Sequence, residues 1–424
     1  MNKLAVPDST SITRQRLSNG LTVLVHENHT NPSLVISGYV RGGSLLETAA
    51  QSGLANFTAS MLRRGTVNRS FADINETLEA VGASFGISSG RHITEFGGKC
   101  LREDLPLLLD IMTDVLRHPV FPEEHVDKVR GQILTGLQER DNDTRSMASL
   151  TFRQLLYGAD HPYGRSLSGE RETVTGLTRQ DMVDFYQRTY GPAGGALVIV
   201  GDVQTEQLLA QLESLLGDWA SPAVNAGLPP LAAPTGIVQR SVAIAGKTQT
   251  DIVLGWLGPE RSDPDYYAVA LTNTILGRFG MMGRLGDNVR EKQGLAYYAY
   301  SAVEAGEGPG AWMAVAGVNP ATVERTISSV LEEIVRLREE LIPADEMADS
   351  QAFMTGILPL RLETNEGVAD TLADMERFNL GLDFLKHYPA RIHELTAAQL
   401  QAAVHRFLDP ANYALGIAGP PAAA

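Results

Sequence analysis

The chain has 424 residues, a net charge of −15 and one cysteine, Cys100. That length suits two or three domains rather than one core. The acidic balance argues against nucleic acid, whose phosphates need a clustered basic surface; a lone cysteine permits no disulfide within the chain, which suits a reducing cytoplasm.

The first residues, MNKLAVPDSTSITRQRL, show no apolar core and no small-residue cleavage site, so they do not read as a signal peptide. No run of 18 apolar residues occurs, so no membrane span is expected and the protein is expected in the cytoplasm. LTVLVHE (21–27) and SLVISGYV (33–40) are β-rich, with a turn-forming NHTNP between them. His26 and His29 fall at the strand end and the turn, where a solvated pair is expected rather than metal ligands. Helix is expected from about Gln51, then over Phe71–Val81, Leu101–Leu116, Glu123–Arg140 and Thr178–Thr189. GASFG (82–86) matches a nucleophile-elbow pattern, but that elbow joins a strand to a helix. Here a helix comes first, so Gly82 reads as a helix cap. Cys100 has no nearby histidine and reads as a buried structural thiol.

SPAVNAGLPPLAAPTG (221–236) holds four prolines and two glycines and reads as a linker. It separates an N-terminal domain, 1–220, from a C-terminal domain, 237–424. Beyond it, GKT at 246–248 lacks the first glycine of a phosphate loop, Ser241 standing there, and no helix is expected to follow. Gly277, Gly280, Gly283 and Gly286 follow a helix rather than a strand, so they mark a mobile loop and not a dinucleotide site. Val323, Ile327, Val330, Ile334 and Leu337 line one face of a long helix.

The two halves repeat each other. LTRQDMVDFYQRTYGPAGGALVIVG (177–201) aligns without a gap on LTAAQLQAAVHRFLDPANYALGIAG (395–419), an offset of 218. SLVISGYV (33–40) meets DIVLGWLG (251–258) at the same offset. Each copy pairs strands at its start, ends on one strand and places helices between. That order predicts an α+β fold of two homologous domains, each a mixed or antiparallel sheet covered by helices on one side.

On the helix beginning near residue 53, Leu54, Phe57 and Met61 form an apolar stripe, while Asn56, Ala59 and Ser60 share a second face. Two imidazoles and a carboxylate on such a face would hold zinc and activate its water. Asn56 and Ser60 offer only neutral oxygens, and Ala59 can move no proton. GLANFTASMLRRGT (53–66) with NGLTVLVHEN (19–28), YVRGGSLLE (39–47), YGADHPYGRSLSG (157–169) and REKQGLAYYAYS (290–301) resembles the pitrilysin/insulinase-type metallopeptidase family, over about residues 12–418. The resemblance implies two such domains forming half of a clamshell. It places the inverted His-x-x-Glu-His motif on Asn56, Ala59 and Ser60, and the third zinc ligand, a glutamate, on Gly136. All four positions are substituted, so no zinc and no peptidase chemistry are expected from this chain alone.

The resemblance also assigns an Arg and a Tyr seven positions apart in the second domain to the substrate carbonyl and its oxyanion. Here they are Arg290 and Tyr297. A forked cation and a phenol both favour negative charge on oxygen. Gly294 is expected to end the helix bearing Arg290, with a strand starting near Leu295. Tyr298 would then point to the opposite face, and it reads with Tyr300 as packing. Ligands lost and donors kept suggest a non-catalytic subunit beside a zinc-bearing homologous partner, acting on a peptide; pairing with a second copy of itself is the other arrangement. The alternative is a peptide-binding or structural scaffold without a peptidase role.

Overall fold

The computed structural model describes residues 6–220, 227–277 and 283–421. Part of the linker (221–226) and part of the glycine-rich loop (278–282), Gly280 included, lie outside the described residues. In chain order the elements of the first half are β1 (Ile12–Arg16), β2 (Thr22–Glu27), β3 (Ser33–Val40), α1 (Leu54–Leu62), α2 (Phe71–Ala80), β4 (Ser84–Ser89), β5 (Thr94–Leu101), α3 (Leu105–Arg117), α4 (Glu123–Asp141), α5 (Thr144–Tyr157), α6 (Arg171–Gly176), α7 (Arg179–Thr189), β6 (Ala196–Gly201) and α8 (Thr205–Leu216). The second half has β7 (Ile237–Ala243), β8 (Thr250–Leu257), α9 (Tyr266–Gly277), a π-helix (Gly286–Lys292), β9 (Ala296–Val303), β10 (Ala311–Val318), α10 (Val323–Glu339), α11 (Ala344–Arg361), α12 (Asn365–Arg377), α13 (Phe384–His393), α14 (Ala397–Phe407) and β11 (Tyr413–Gly419).

The repeat seen in the sequence is a repeat of topology. One sheet runs β1-β2-β6-β3-β5-β4 and the other β7-β11-β8-β10-β9. Without β1 the orders coincide, and the parallel pair has the same place in each: β2 with β6, β7 with β11. The repeated LT dipeptides cap equivalent helices. The hydroxyls of Thr178 and Thr396 accept from the backbone N–H of Asp181 and Gln399, and those side chains reach back to close capping boxes.

The structured chain forms two compact units that are not continuous in sequence. One comprises Met1–Leu137, Ser166–Gly227 and Leu358–His387; the other comprises Gln138–Arg165, Leu228–Ile357 and Tyr388–Ala424. They depart from a linear division at 221–236 because each takes a helix from the other half. In the first unit, Val23, Val25, Leu34, Ile36, Leu197 and Ile199 face the helices of their own half. The alternate residues Leu24, Val35, Val198 and Val200 pack against Val368, Ala369, Leu372 and Met375 of α12. In the second unit, α5 brings Ala148, Phe152 and Leu156 onto Val253, Val315, Ala414 and Ala418. Here α5 comes so close to β11 that a Cβ on Gly416 would lie 2.3 Å from the carbonyl oxygen of Ala148.

The expectation of a sheet covered on one side is therefore corrected. Central strands such as ALVIVG are buried at every residue, and a one-sided cover would leave every second apolar side chain in water. The helix expected from Leu101 is also corrected. Leu101 ends β5, and α3 starts at Leu105 with Pro106 in its first turn, where the missing N–H is harmless. Gly82 follows α2 with φ +64°, as a helix cap should. The GKT segment lies in the turn before β8, and no helix follows it. No helix among the described residues is long and apolar enough to cross a membrane.

Candidate functional site

The helix α1 begins on a buried carboxylate. Glu47, 5% exposed, accepts from the backbone N–H of Gly53 at 3.1 Å and of Ala55 at 2.9 Å. An anion there meets the open N–H groups and the positive end of the helix dipole. Gly53 takes φ +96°, and a Cβ on it would sit 2.9 Å from the carbonyl oxygen of Ser168. Leu54, Phe57 and Met61 are fully buried. Sequence reading singled out the apolar stripe but missed Glu47; an acid six residues ahead of a helix that starts on glycine is the signal that marks it.

On the other face of α1, Ala59 is buried, while Asn56 and Ser60 are half-buried. The Ser60 hydroxyl donates to the carbonyl of Asn56 at 2.9 Å, so it is spent on its own helix. Gly136 lies exposed on α4 and supplies no side chain. Zinc demands imidazole, thiolate or carboxylate. One amide, one committed hydroxyl, a methyl and a hydrogen do not meet that demand, so these residues do not fit a zinc ion. Among the described residues, no group of three or more His, Cys, Asp or Glu could hold a metal. His26 and His29 do not form a ligand pair. His26 Nδ1 bonds the Ser11 carbonyl, while His29 bridges Asp202 at 2.6 Å and Glu27 at 3.1 Å. His29 is thus hydrogen-bonded to two carboxylates rather than simply solvated. Cys100 is buried, and that burial pushes its thiol up to about 12, which leaves it unreactive.

In the second unit Arg290 belongs to the π-helix, and Tyr297 is the second residue of β9. Between them the helix closes as expected. Gly294, at φ +62°, donates to the Arg290 carbonyl at 3.0 Å, and Leu295 donates to the Val289 carbonyl at 2.9 Å. The first is the bond of an αL glycine cap, and the second reaches one residue further back than a Schellman bond, as the wider π turn requires. Tyr297 stands 67% exposed. The Arg290 Nη1 lies 3.1 Å from a carboxylate oxygen of the adjacent Glu291, without a hydrogen bond. Tyr297 is thus open to solvent, while the Arg290 Nη1 is a buried donor without a hydrogen-bond acceptor.

Tyr298 does more than pack. Its hydroxyl donates to Asp251, which is 1% exposed and also accepts from Thr144 Oγ1 at 2.5 Å and Gln249 Nε2 at 3.1 Å. Thr144 comes from α5, so the network ties the exchanged helix to the sheet. In the HPYG segment (161–164), His161 Nδ1 accepts the N–H of Tyr163 at 3.1 Å. A Cβ on Gly164 would lie 2.0 Å from the Gly158 carbonyl oxygen, so that loop closes only on glycine.

Comparison with known proteins gives two matches along the chain. Residues 22–168 match the insulinase family, peptidase family M16, and residues 176–354 match the peptidase M16 inactive domain. An uncharacterized zinc protease of Streptomyces coelicolor is 28% identical over 377 residues, covering 86% of this chain and 80% of that protein. The mitochondrial-processing peptidase subunit beta of Saccharomyces cerevisiae is 24% identical, over 84% of this chain and 80% of that one. The crystal structure of a peptidase M16 inactive domain from Pseudomonas fluorescens superposes with a TM-score of 0.89 at 25% identity, covering 97% of this chain and 98% of the other.

Proposed function

The chain belongs to the insulinase family of peptidases, and on that premise we propose that it is the non-catalytic subunit of a heterodimeric zinc peptidase. The observation that carries the reading is the contrast between two sets of residues. The four positions where the family holds and works its metal are Asn56, Ala59, Ser60 and Gly136, and these do not fit one. Arg290 and Tyr297 are both present, joined through the left-handed glycine cap at Gly294, and Tyr297 is exposed. The naming of the yeast relative as a subunit agrees with work in pairs.

In this reading zinc sits in the partner, and the contribution of this chain involves no metal of its own. Arg290 offers a forked cation and Tyr297 a phenol proton. Both donate to a peptide carbonyl oxygen and more strongly to the negative charge that builds on it during attack. Loss of one such donor costs about 10²–10³ in kcat. Loss of both costs less than the product of the single losses, since they act on one oxygen.

The test mixes this chain with a zinc-bearing relative from the same organism and follows peptide cleavage. Tyr297→Phe deletes one hydroxyl, and Arg290→Lys keeps charge but loses the fork. Both should lower kcat while assembly and the partner's zinc content hold. Cleavage at the parent rate by Tyr297→Phe and Arg290→Ala would leave the chain a scaffold. Sedimentation of the isolated chain shows whether a second copy takes the partner's place.

A further inference from the structure

Arg290 and Tyr297 are each carried by a departure from regular backbone, and each departure is fastened to a buried carboxylate. Along β9, the edge strand of its sheet, Tyr298 lies opposite Gly317 and Ala296 opposite Val318. Tyr297 is the extra residue of a β-bulge. Bulges at sheet edges re-aim a side chain. Two contacts hold this one. The Tyr298 hydroxyl is bonded to Asp251, and the Tyr298 ring lies over Gly317, where a Cβ would come within 2.4 Å of it. Burial, and then the bond to Asp251, raise the Tyr298 pKa, so the phenol remains a donor.

Arg290 sits in a π-helix, a wide and uncommon coil that is frequent at functional sites. Asn288 donates to Glu333 of α10 at 2.6 Å, and Glu333 is 2% exposed. Asn288 in turn accepts from Gln293 at 2.9 Å, and Gln293 also donates to Ser329 Oγ at 3.0 Å. The turn bearing Arg290 is thus pinned on both sides to α10. A buried carboxylate is costly, and apolar side chains of the same shape often stabilise a fold more. Glu333 is held by Arg336 at 3.1 Å as well as by Asn288, and Asp251 by three donors, so each carboxylate is fixed where it sits.

We propose that Asp251, acting through Tyr298, and Glu333, acting through Asn288, are positioning residues that hold Tyr297 and Arg290 in the arrangement needed to bind one oxygen. The inference rests on the role proposed above for those two donors.

The test compares Tyr298→Phe and Asn288→Ala with the conservative Asp251→Asn and Glu333→Gln, which keep an oxygen acceptor. Tyr300→Phe is the control, since it loses a bond from Arg145 farther along the same strand. Hydrogen exchange is measured over 286–299 in the isolated chain, and peptide cleavage in the mixed complex. Tyr298→Phe and Asn288→Ala should speed local exchange by about tenfold or more at an unchanged melting temperature. They should lower kcat by about 10- to 100-fold with KM unchanged. The conservative pair should recover most of both, and the control should match the parent. If Arg290→Ala and Tyr297→Phe lower kcat but Tyr298→Phe and Asn288→Ala do not, the positioning roles alone are overturned. If none of the four matters to cleavage, the functional reading falls, and unchanged exchange in the isolated chain then overturns the positioning roles separately. A kcat loss that merely follows lost assembly or a lower melting temperature also overturns them.

Discussion

Cutting the chain in the linker should leave two fragments that fold only together. Fragment 1–220 keeps its sheet but loses α12. The side chains Val368, Leu372 and Met375 are all at most 6% exposed against that sheet. At about 1.5–3 kcal/mol for each fully buried side chain, α12 supplies about 5–9 kcal/mol. Whole-domain stability is only about 5–15 kcal/mol. The sheet residues Leu24, Val35, Val198 and Val200 would be re-exposed as well. Fragment 227–424 has the reciprocal defect, losing Phe152 and Leu156 of α5 and the Thr144 donor to buried Asp251. The assay is expression of each fragment alone and of both together, with a tag on one. Trp219, buried in the first unit, reports its folding by fluorescence. Co-expressed fragments should purify as a one-to-one pair with a cooperative melt. Fragment 1–220 alone should aggregate or show a solvent-exposed Trp219. A monomeric fragment 1–220 melting cooperatively near the temperature of the whole chain would refute the reciprocal exchange as a source of stability.

Elemental analysis of the pure chain should find far less than one zinc per molecule, because Asn56, Ser60 and Gly136 supply no strong ligand; stoichiometric zinc lost on substituting Asn56 would contradict this. Glu47→Ala should cost about 2–4 kcal/mol in urea unfolding, since two buried N–H groups at the start of α1 lose a charged acceptor; a loss below about 0.5 kcal/mol, the surface norm, would dismiss the clamp. His29 should titrate above the ordinary histidine value, raised by its bonds to Asp202 and then Glu27. With the folded-state pKa raised, the stabilisation is complete below the unfolded value and fades as pH rises through the folded one. An NMR midpoint at or below the ordinary value, or the same pH dependence of stability in His29→Gln, would count against it.

Much of the fold is legible in the sequence because it depends on local chemistry. The shared offset announces the duplication, and Thr178 with Asp181 marks a helix start that capping explains. The exchange of α5 and α12 is not legible. Periodicity shows that Phe152 and Leu372 belong inside, but not against which sheet. The uninterrupted apolar run at 196–200 was a usable hint, since a strand buried at every residue needs cover on both faces. The strands β4, β5 and β10 are harder to read, since Gly86, Gly97, Gly98 and Gly317 interrupt their apolar patterns. At the candidate site, the end of the helix at Gly294 is legible because glycine in the left-handed region has few other uses there. The π-helix and the bulge carry no sequence signature, so the anchors Asp251 and Glu333 emerge only in three dimensions.

That difference bears on which residues carry functional information. The geometry of α1 is explained by packing: a buried stripe, a carboxylate on its first N–H groups and a glycine against the 168–169 backbone. A helix so supported forms with or without a metal, and its presence says nothing about chemistry. Arg290 and Tyr297 are another matter. A bulge at an open edge gives up regular pairing, and a π-turn gives up regular helix geometry. The side chain the bulge presents is largely exposed, so burial does not compensate the loss. Local rules are broken at functional sites more than elsewhere, and the cost is met by surrounding structure. Here that structure is two buried carboxylates reaching out through Tyr298 and Asn288, and it is on this ground that we propose the second unit, and not the helix that first brings a peptidase to mind, as the working part of the chain.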